Sequence, residues 1–235
     1  MTKVLIGIQA RSTSERLPNK ALINLYNKPI LSWVINACLD SKKYLNANHK
    51  HIMDVDVAIL CPIGDEISRL YKNNYLIEGS ESDVLSRYIN AREVFDSDYI
   101  CRITGDCPFL TGFLITNHIL KAVDHNFDYI SNVDPKYRTE LDGRDVEVLS
   151  RKALNWLKDN ALSQSEKEHV TIKINQDKPK CLKRGHILNR IDISDIKLSI
   201  DTPKDLANAK SRVSSFFKKR LEAEQDVGNK NIFLV

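Results

Sequence analysis

Three basic side chains, Arg11, Arg16 and Lys20, share one short stretch with Ser12, Thr13 and Ser14. Guanidinium forks and an ammonium amid hydroxyls suit the oxygens of a polyphosphate. The stretch contains neither GxxxxGKS/T nor GxGxxG, so side chains would hold phosphates where a glycine-lined nest usually does. Spacing alone leaves a solvated basic loop open as the alternative. A second group is Arg102-Ile103-Thr104-Gly105-Asp106-Cys107-Pro108, in which a strand stops, Gly105 permits a tight turn and Pro108 stiffens its exit. Asp106 is then either a turn residue or a ligand at a strand end. Its candidate partner is Asp201, because Thr202 can cap the helix that follows and leaves the Asp201 carboxylate unused. Two carboxylates beside a cationic loop are what a magnesium nucleoside triphosphate requires: Mg2+ takes few protein oxygens and completes its octahedron with phosphate and water. Otherwise they are two unrelated surface aspartates.

A third group joins Asp142-Gly143-Arg144-Asp145-Val146-Glu147 to Glu166-Lys167-Glu168-His169-Val170-Thr171. These polar groups could bind the hydroxyls of an acceptor or position its nucleophile. His169, beside acids, is either a general base or a helix-face histidine in an ion pair. His49 and His51 lie in a polar connection and are assigned no metal.

The elements that would carry these groups follow from hydrophobic periodicity. Val4–Ile8, Val55–Leu60, Tyr99–Ile103, Tyr129–Ser131 and Ile196–Ile200 read as strands, the first two apolar enough to be covered on both faces. Between them, helical stripes run through Ile30, Val34, Ala37 and Cys38, through Val84, Tyr88 and Ala91, and through Leu114, Ile115, His118, Ile119 and Ala122. Ser80 to Asp83 and Thr202 to Asp205 have capping-box spacing, and Pro203 suits a first turn, so helices are predicted to start near 81 and 203. The alternation predicts an α/β fold with three α/β/α layers and a mostly parallel sheet, whose ligands sit outside the carboxyl ends of the strands. About 131–190 reads as an insertion that caps the site or mediates dimerisation, with a turn at Asp142-Gly143, a strand-like Val146-Glu147-Val148 and helices near 151–160 and 165–176. Residues 1–217 are predicted to form a single domain and 218–235 a charged tail ending in Ile232-Phe233-Leu234-Val235.

The chain has 235 residues, 42% of them hydrophobic and 28% charged, enough for one sizeable core without disulfide staples. Its five cysteines form no CxxC pair, which argues for a reduced, cytosolic compartment and against structural zinc. No apolar run matches a signal peptide or a membrane span. The net charge of +4, from 35 basic and 31 acidic residues, is spread along the chain and predicts no nucleic-acid surface.

With these residues in view, the sequence resembles the nucleotide-sugar cytidylyltransferases, a family that includes the 3-deoxy-manno-octulosonate and acylneuraminate enzymes. Ile8-Gln9-Ala10-Arg11 and Ser14-Glu15-Arg16-Leu17-Pro18-Asn19-Lys20 carry the amino-terminal signature. Gly79-Ser80-Glu81-Ser82-Asp83-Val84-Leu85-Ser86-Arg87-Tyr88, Arg102–Pro108, Asp142–Val148, Glu168-His169-Val170-Thr171 and Ile200–Leu206 suggest the spore-coat-polysaccharide-type branch. The resemblance implies a glycosyltransferase-A-like nucleotidyltransferase fold and transfer of CMP from CTP to a sugar-acid or phosphorylated acceptor, with pyrophosphate released. It implies that Arg11, Arg16 and Lys20 bind the triphosphate and that Asp106 and Asp201 hold Mg2+, with Arg11, Lys20, Asp106 and Asp201 as the catalytic set. The remaining nucleotide contacts would come from Ile8, Ala10, Ser12, Gly79, Ser80 and Asp83. Arg102, Asp142, Asp145, Glu147, Glu168 and His169 would face the acceptor. Arg144 and Lys167 depart from the family pattern on that side and leave the acceptor's identity open. A homodimer is a further expectation. The alternatives are a glycosyltransferase using a nucleotide-sugar donor, which would want an Asp-x-Asp motif where Gly105-Asp106-Cys107 stands, and a non-catalytic nucleotide-binding module.

Overall fold

Strands with both faces buried set the frame. In this computed structural model, which describes residues 1–212, β1 (Thr2–Gln9) sends Val4, Ile6 and Ile8 into one hydrophobic cluster and Leu5 into another on the opposite face. The small hairpin β2 (Asn24–Leu25) and β3 (Lys28–Pro29) stands apart. With β4 (Met53–Pro62), β5 (Tyr75–Gly79), β6 (Tyr99–Thr104), β7 (Tyr129–Ser131), β8 (Glu147–Ser150) and β9 (Arg184–His186), β1 forms a seven-stranded sheet in the order β5-β4-β1-β6-β8-β7-β9. Every pairing is parallel except those of β8, which runs against both neighbours.

Helices α1 (Ile30–Asn48) and α4 (Gly112–Asp124) cover one face and α3 (Val84–Phe95) and α5 (Arg151–Asn160) the other, giving the three layers expected from the sequence. The short helices α2 (Glu66–Leu70), α6 (Gln164–His169) and α7 (Ile172–Asp177) fill connections, and α8 (Pro203–Arg212) packs Ala209 beside Leu17, Trp33, Phe109 and Ile200 in a third cluster.

Several local expectations are corrected. Ile196–Ile200 is not a strand: the N–H groups of Leu198 and Ser199 donate to the Asp142 carbonyl and that of Ile200 to the Asp106 carbonyl, leaving one bridge, Asp142 to Lys197. The alternating apolar residues instead pack Leu198 and Ile200 against the third cluster. Helix α3 begins at 84 rather than near 81, because the Asp83 carboxylate accepts from the Ser86 N–H. The stretch 165–176 is two helices, broken at Val170 with φ +57°. Within 131–190, β8 lies inside the sheet, β9 forms its edge and α5 covers one of its faces, so these parts belong to the frame of the fold. Strand β5 was not foreseen. The tail expected at 218–235, and its apolar end, lie outside the described residues.

Candidate active site

The carboxyl edge of β1, β4, β5 and β6 is closed by backbone bonds between its turns. The Ala10 N–H donates to the Leu60 carbonyl at 3.1 Å and the Gly105 N–H to the Gln9 carbonyl at 2.8 Å. A Cβ on Gly105 would stand 2.9 Å from that of Ala10, so only glycine lets the two turns approach this closely. The basic stretch leaves this point as a loop tied by Asn19 N–H to the Ser12 carbonyl and by Ser12 N–H to the Asp65 carboxylate at 2.9 Å. Leu17, 7% exposed, anchors the loop against Ile200 and Phe109. That apolar contact carries Arg16 and Lys20 to the segment preceding α8.

There the Lys20 ammonium stands between two carboxylates, 2.6 Å from Asp106 Oδ2 and 3.0 Å from Asp201 Oδ1. Arg16 reaches Asp201 at 3.4 Å, and Lys197 bridges Asp201 and Asp205 at 3.2 and 3.0 Å. Asp205 accepts from the Thr202 N–H while Thr202 accepts from the Asp205 N–H, so the cap of α8 is closed without the Asp201 side chain. Burial works to lower the Lys20 pKa, but the two carboxylates more than offset it and the net shift is upward. For Asp201, burial pushes up and the bonds to Lys20 and Lys197 outweigh it, so the carboxyl titrates below its usual range.

Arg11 lies across the mouth, 3.6 Å from Glu168 and 4.0 Å from Glu81, and Thr13 donates to Glu81. Ile8 is fully buried with its backbone in two parallel ladders, and Ala10 is buried, so their side chains belong to the core. Gly79 ends β5 and Ser80 accepts from the Asp83 N–H. Asp83 itself serves as the cap of α3.

The acceptor-side set divides in two. Arg102 and Glu147 face each other across a β6–β8 rung as a buried ion pair, with Tyr129 Oη donating to Glu147 at 2.6 Å. Burial lowers the Arg102 pKa, yet Glu147 overrides it and the net shift is upward. Glu147 is buried and Arg102 only slightly exposed. On the open side, Asp142 and Asp145 converge on Arg138 at 3.6 and 2.5 Å, while His169 is exposed and makes no side-chain hydrogen bond or ion pair among the described residues. Arg138, Lys197, Glu81 and Asp65 escaped sequence reasoning. Lys197 and Arg138 had a local signal, a spacing of four from Asp201 and from Asp142.

Among the described residues no group of three or more His, Cys, Asp or Glu gathers to hold a metal. Two hard carboxylates meeting at one cationic point fit Mg2+, which keeps most of its shell as water and phosphate, rather than zinc. The ammonium marks that point.

An α/β sheet with a cationic loop and paired carboxylates at its carboxyl edge has the chemistry to hold a nucleoside triphosphate. The chain belongs to the cytidylyltransferase family, whose model matches residues 5–235. It is 28% identical over 218 residues to the spore coat polysaccharide biosynthesis protein SpsF of Bacillus subtilis, covering 90% of this chain and 86% of that one. A cytidylyltransferase from Leptospira borgpetersenii superposes with a TM-score of 0.79 at 24% identity over the full length of both chains. The CMP:2-keto-3-deoxy-manno-octonic acid synthetase solved with CTP superposes with a TM-score of 0.67 at 13% identity, covering 92% of this chain and all of that one.

Proposed function

We propose that this enzyme transfers CMP from CTP to a hydroxyl of a sugar-acid or phosphorylated acceptor, releasing pyrophosphate, in the synthesis of surface polysaccharide or glycoconjugate precursors. The observation that carries the reading is the Lys20 ammonium bonded to both Asp106 and Asp201, residues distant in sequence, beside the arginines of the first loop. The family membership and the SpsF relative support the same chemistry and its polysaccharide setting.

In this reaction an acceptor oxygen attacks the α-phosphorus in line and pyrophosphate departs, so catalysis is positioning plus electrostatic stabilisation. Arg11, Arg16 and Lys20 bind the triphosphate and neutralise charge on the leaving pyrophosphate. Asp106 and Asp201 would hold Mg2+, which when bound polarises phosphoryl oxygens. Glu81 and Glu168 keep Arg11 at the mouth until phosphate oxygens replace them. All five cysteines are free, which supports a reducing, cytosolic site of action, and no helix of the described residues is long and apolar enough to cross a membrane. A homodimer belongs to the same proposal.

The test is a pyrophosphate-release screen of the four ribonucleoside triphosphates with and without Mg2+. Its acceptor panel comprises 3-deoxy-manno-octulosonate, N-acetylneuraminate, sugar phosphates and a small phosphonate. Release that requires CTP, Mg2+ and one acceptor supports the reading; release of UDP or CMP from a nucleotide sugar, or CTP binding without turnover, refutes it.

A further inference from the structure

The transfer needs a group to take the acceptor's proton, and most of the residues already assigned are engaged elsewhere. Lys20, Arg11 and Arg16 are cations. Asp106 and Asp201 are committed to the metal. On the acceptor side Glu147 is sealed against Arg102 and Tyr129, Glu168 is paired with Arg11, and nothing among the described residues holds the exposed His169 ring in one orientation.

Asp145 differs from all of these. Its side chain is 27% exposed, and Oδ1 accepts from the Arg138 guanidinium, which is itself clamped by the carbonyls of Glu140 and Leu141 at 3.3 and 3.2 Å. A carboxylate aimed by a fixed third group is the arrangement by which bases are oriented. The turn that carries it is tied to the metal-side segments: the Asp142 carbonyl accepts from Leu198 and Ser199, and the next N–H, that of Ile200, donates to the Asp106 carbonyl. Gly143 makes this docking possible, since at φ +95° a Cβ there would lie 2.2 Å from the Ser199 nitrogen.

We propose that Asp145 accepts the proton of the attacking acceptor hydroxyl and that Arg138 is the positioning residue that aims it. The acceptor O–H bond breaks toward Asp145 as its oxygen bonds to the α-phosphorus. The bond from that phosphorus to the pyrophosphate oxygen breaks, and the proton passes from Asp145 to solvent after release. This role rests on the cytidylyltransferase reading.

The groups facing Asp145 are Arg138 and Asp142 of its own turn, Glu147 of β8, and the Cys107 thiol of the turn after β6, with Asp106 next to it. Burial pushes the Asp145 carboxyl up to about 6, Asp142 and Glu147 add to the rise, and Arg138 pulls the other way. The Cys107 thiol, itself pushed up by burial, stays neutral. A base must be unprotonated, so turnover falls about tenfold per pH unit below that value.

The experiment follows pyrophosphate release from CTP and Mg2+ against pH, using the panel member that the wild type turns over fastest. Water counts as a member, through CMP formation. Asp145→Asn is expected to lower kcat about 100-fold or more and to abolish the acid limb, while calorimetric CTP affinity stays at the wild-type value. Arg138→Gln is expected to lower kcat and move the limb to higher pH, because the charge that held the carboxyl down is gone; Arg138→Lys returns the limb toward the wild-type position. Should Asp145→Asn fail to fold, the two Arg138 variants and Asp145→Glu, which keeps a limb, decide the matter. Wild-type kcat in Asp145→Asn, an unmoved limb in Arg138→Gln, or equal losses in kcat and CTP affinity would overturn the assignment. A wild type that releases no pyrophosphate under any condition would instead overturn the transferase reading itself.

Discussion

Replacing Lys20 by methionine keeps most of the side-chain volume and removes the ammonium that Asp106 and Asp201 share. Both carboxylates touch that nitrogen, at 2.6 and 3.0 Å, so their oxygens lie at most about 6 Å apart, and two unit charges at that distance repel by about 3 kcal/mol at an effective dielectric of 20 and under about 1 kcal/mol in bulk water. Their side chains are 24% and 20% exposed, which sets the expected loss in unfolding free energy at about 1–3 kcal/mol, or about 3 °C in Tm per kcal/mol for a chain of this size. In the wild type the depressed Asp201 carboxyl contributes stability above its unfolded pKa that is lost as the pH falls. In the variant the sign inverts. One carboxylate is raised by its neighbour, so the lost stability returns as acid protonates it and vanishes again as the pH rises. Millimolar Mg2+ is expected to restore the variant at neutral pH, and to do much less for the wild type, where the ammonium already occupies the point of convergence. Thermal unfolding at low salt, across pH 4–8 and with and without Mg2+, measures all of this without an acceptor. A Lys20→Met protein as stable as the wild type at neutral pH, or one whose loss ignores both acid and Mg2+, would show that the two carboxylates do not face one another.

Asp106→Asn or Asp201→Asn should lower turnover in the pyrophosphate assay by about 100-fold or more, several kcal/mol of barrier, while circular dichroism reports an intact fold. Arg102→Met should cost about 3–5 kcal/mol in urea unfolding, because it strands the buried Glu147 carboxylate; the double variant Arg102→Met, Glu147→Leu should recover most of that. Gly143→Ala should destabilise the protein by more than about 1 kcal/mol and lower activity with it, since φ +95° and the adjacent Ser199 backbone both exclude a Cβ. Burial holds the His118 pKa down to about 4, so stability is full above the unfolded value of about 6.5 and declines by about 1.4 kcal/mol per pH unit as the pH falls toward 4. His118→Leu should remove that slope, and an unchanged slope would place its origin elsewhere.

What could be read from the sequence was what is local. The cap at Thr202 and Asp205 is a relation between neighbours in one turn, so its spacing revealed both the start of α8 and the spare carboxylate of Asp201. The buried faces of β1 and β4 showed as continuous apolar runs. Ile196–Ile200 alternates apolar and polar residues as a half-buried strand would, yet periodicity reports only which side chains are buried. Whether the backbone bonds go to a strand or to the carbonyls of two turns depends on residues far along the chain. The same distance hid the sense of the polar groups near the acceptor. Arg102 and Glu147 neutralise each other because β8 enters the sheet antiparallel beside β6, a register that neither segment encodes alone. Asp145 stays outside the ladder and partly exposed because β8 begins two residues later, and Arg138, in a turn without periodicity, pairs with it. Two carboxylates separated by one residue thus acquire different chemistry from topology: the one inside the ladder is locked as a counter-ion, and the one just outside it keeps a lone pair for the reaction.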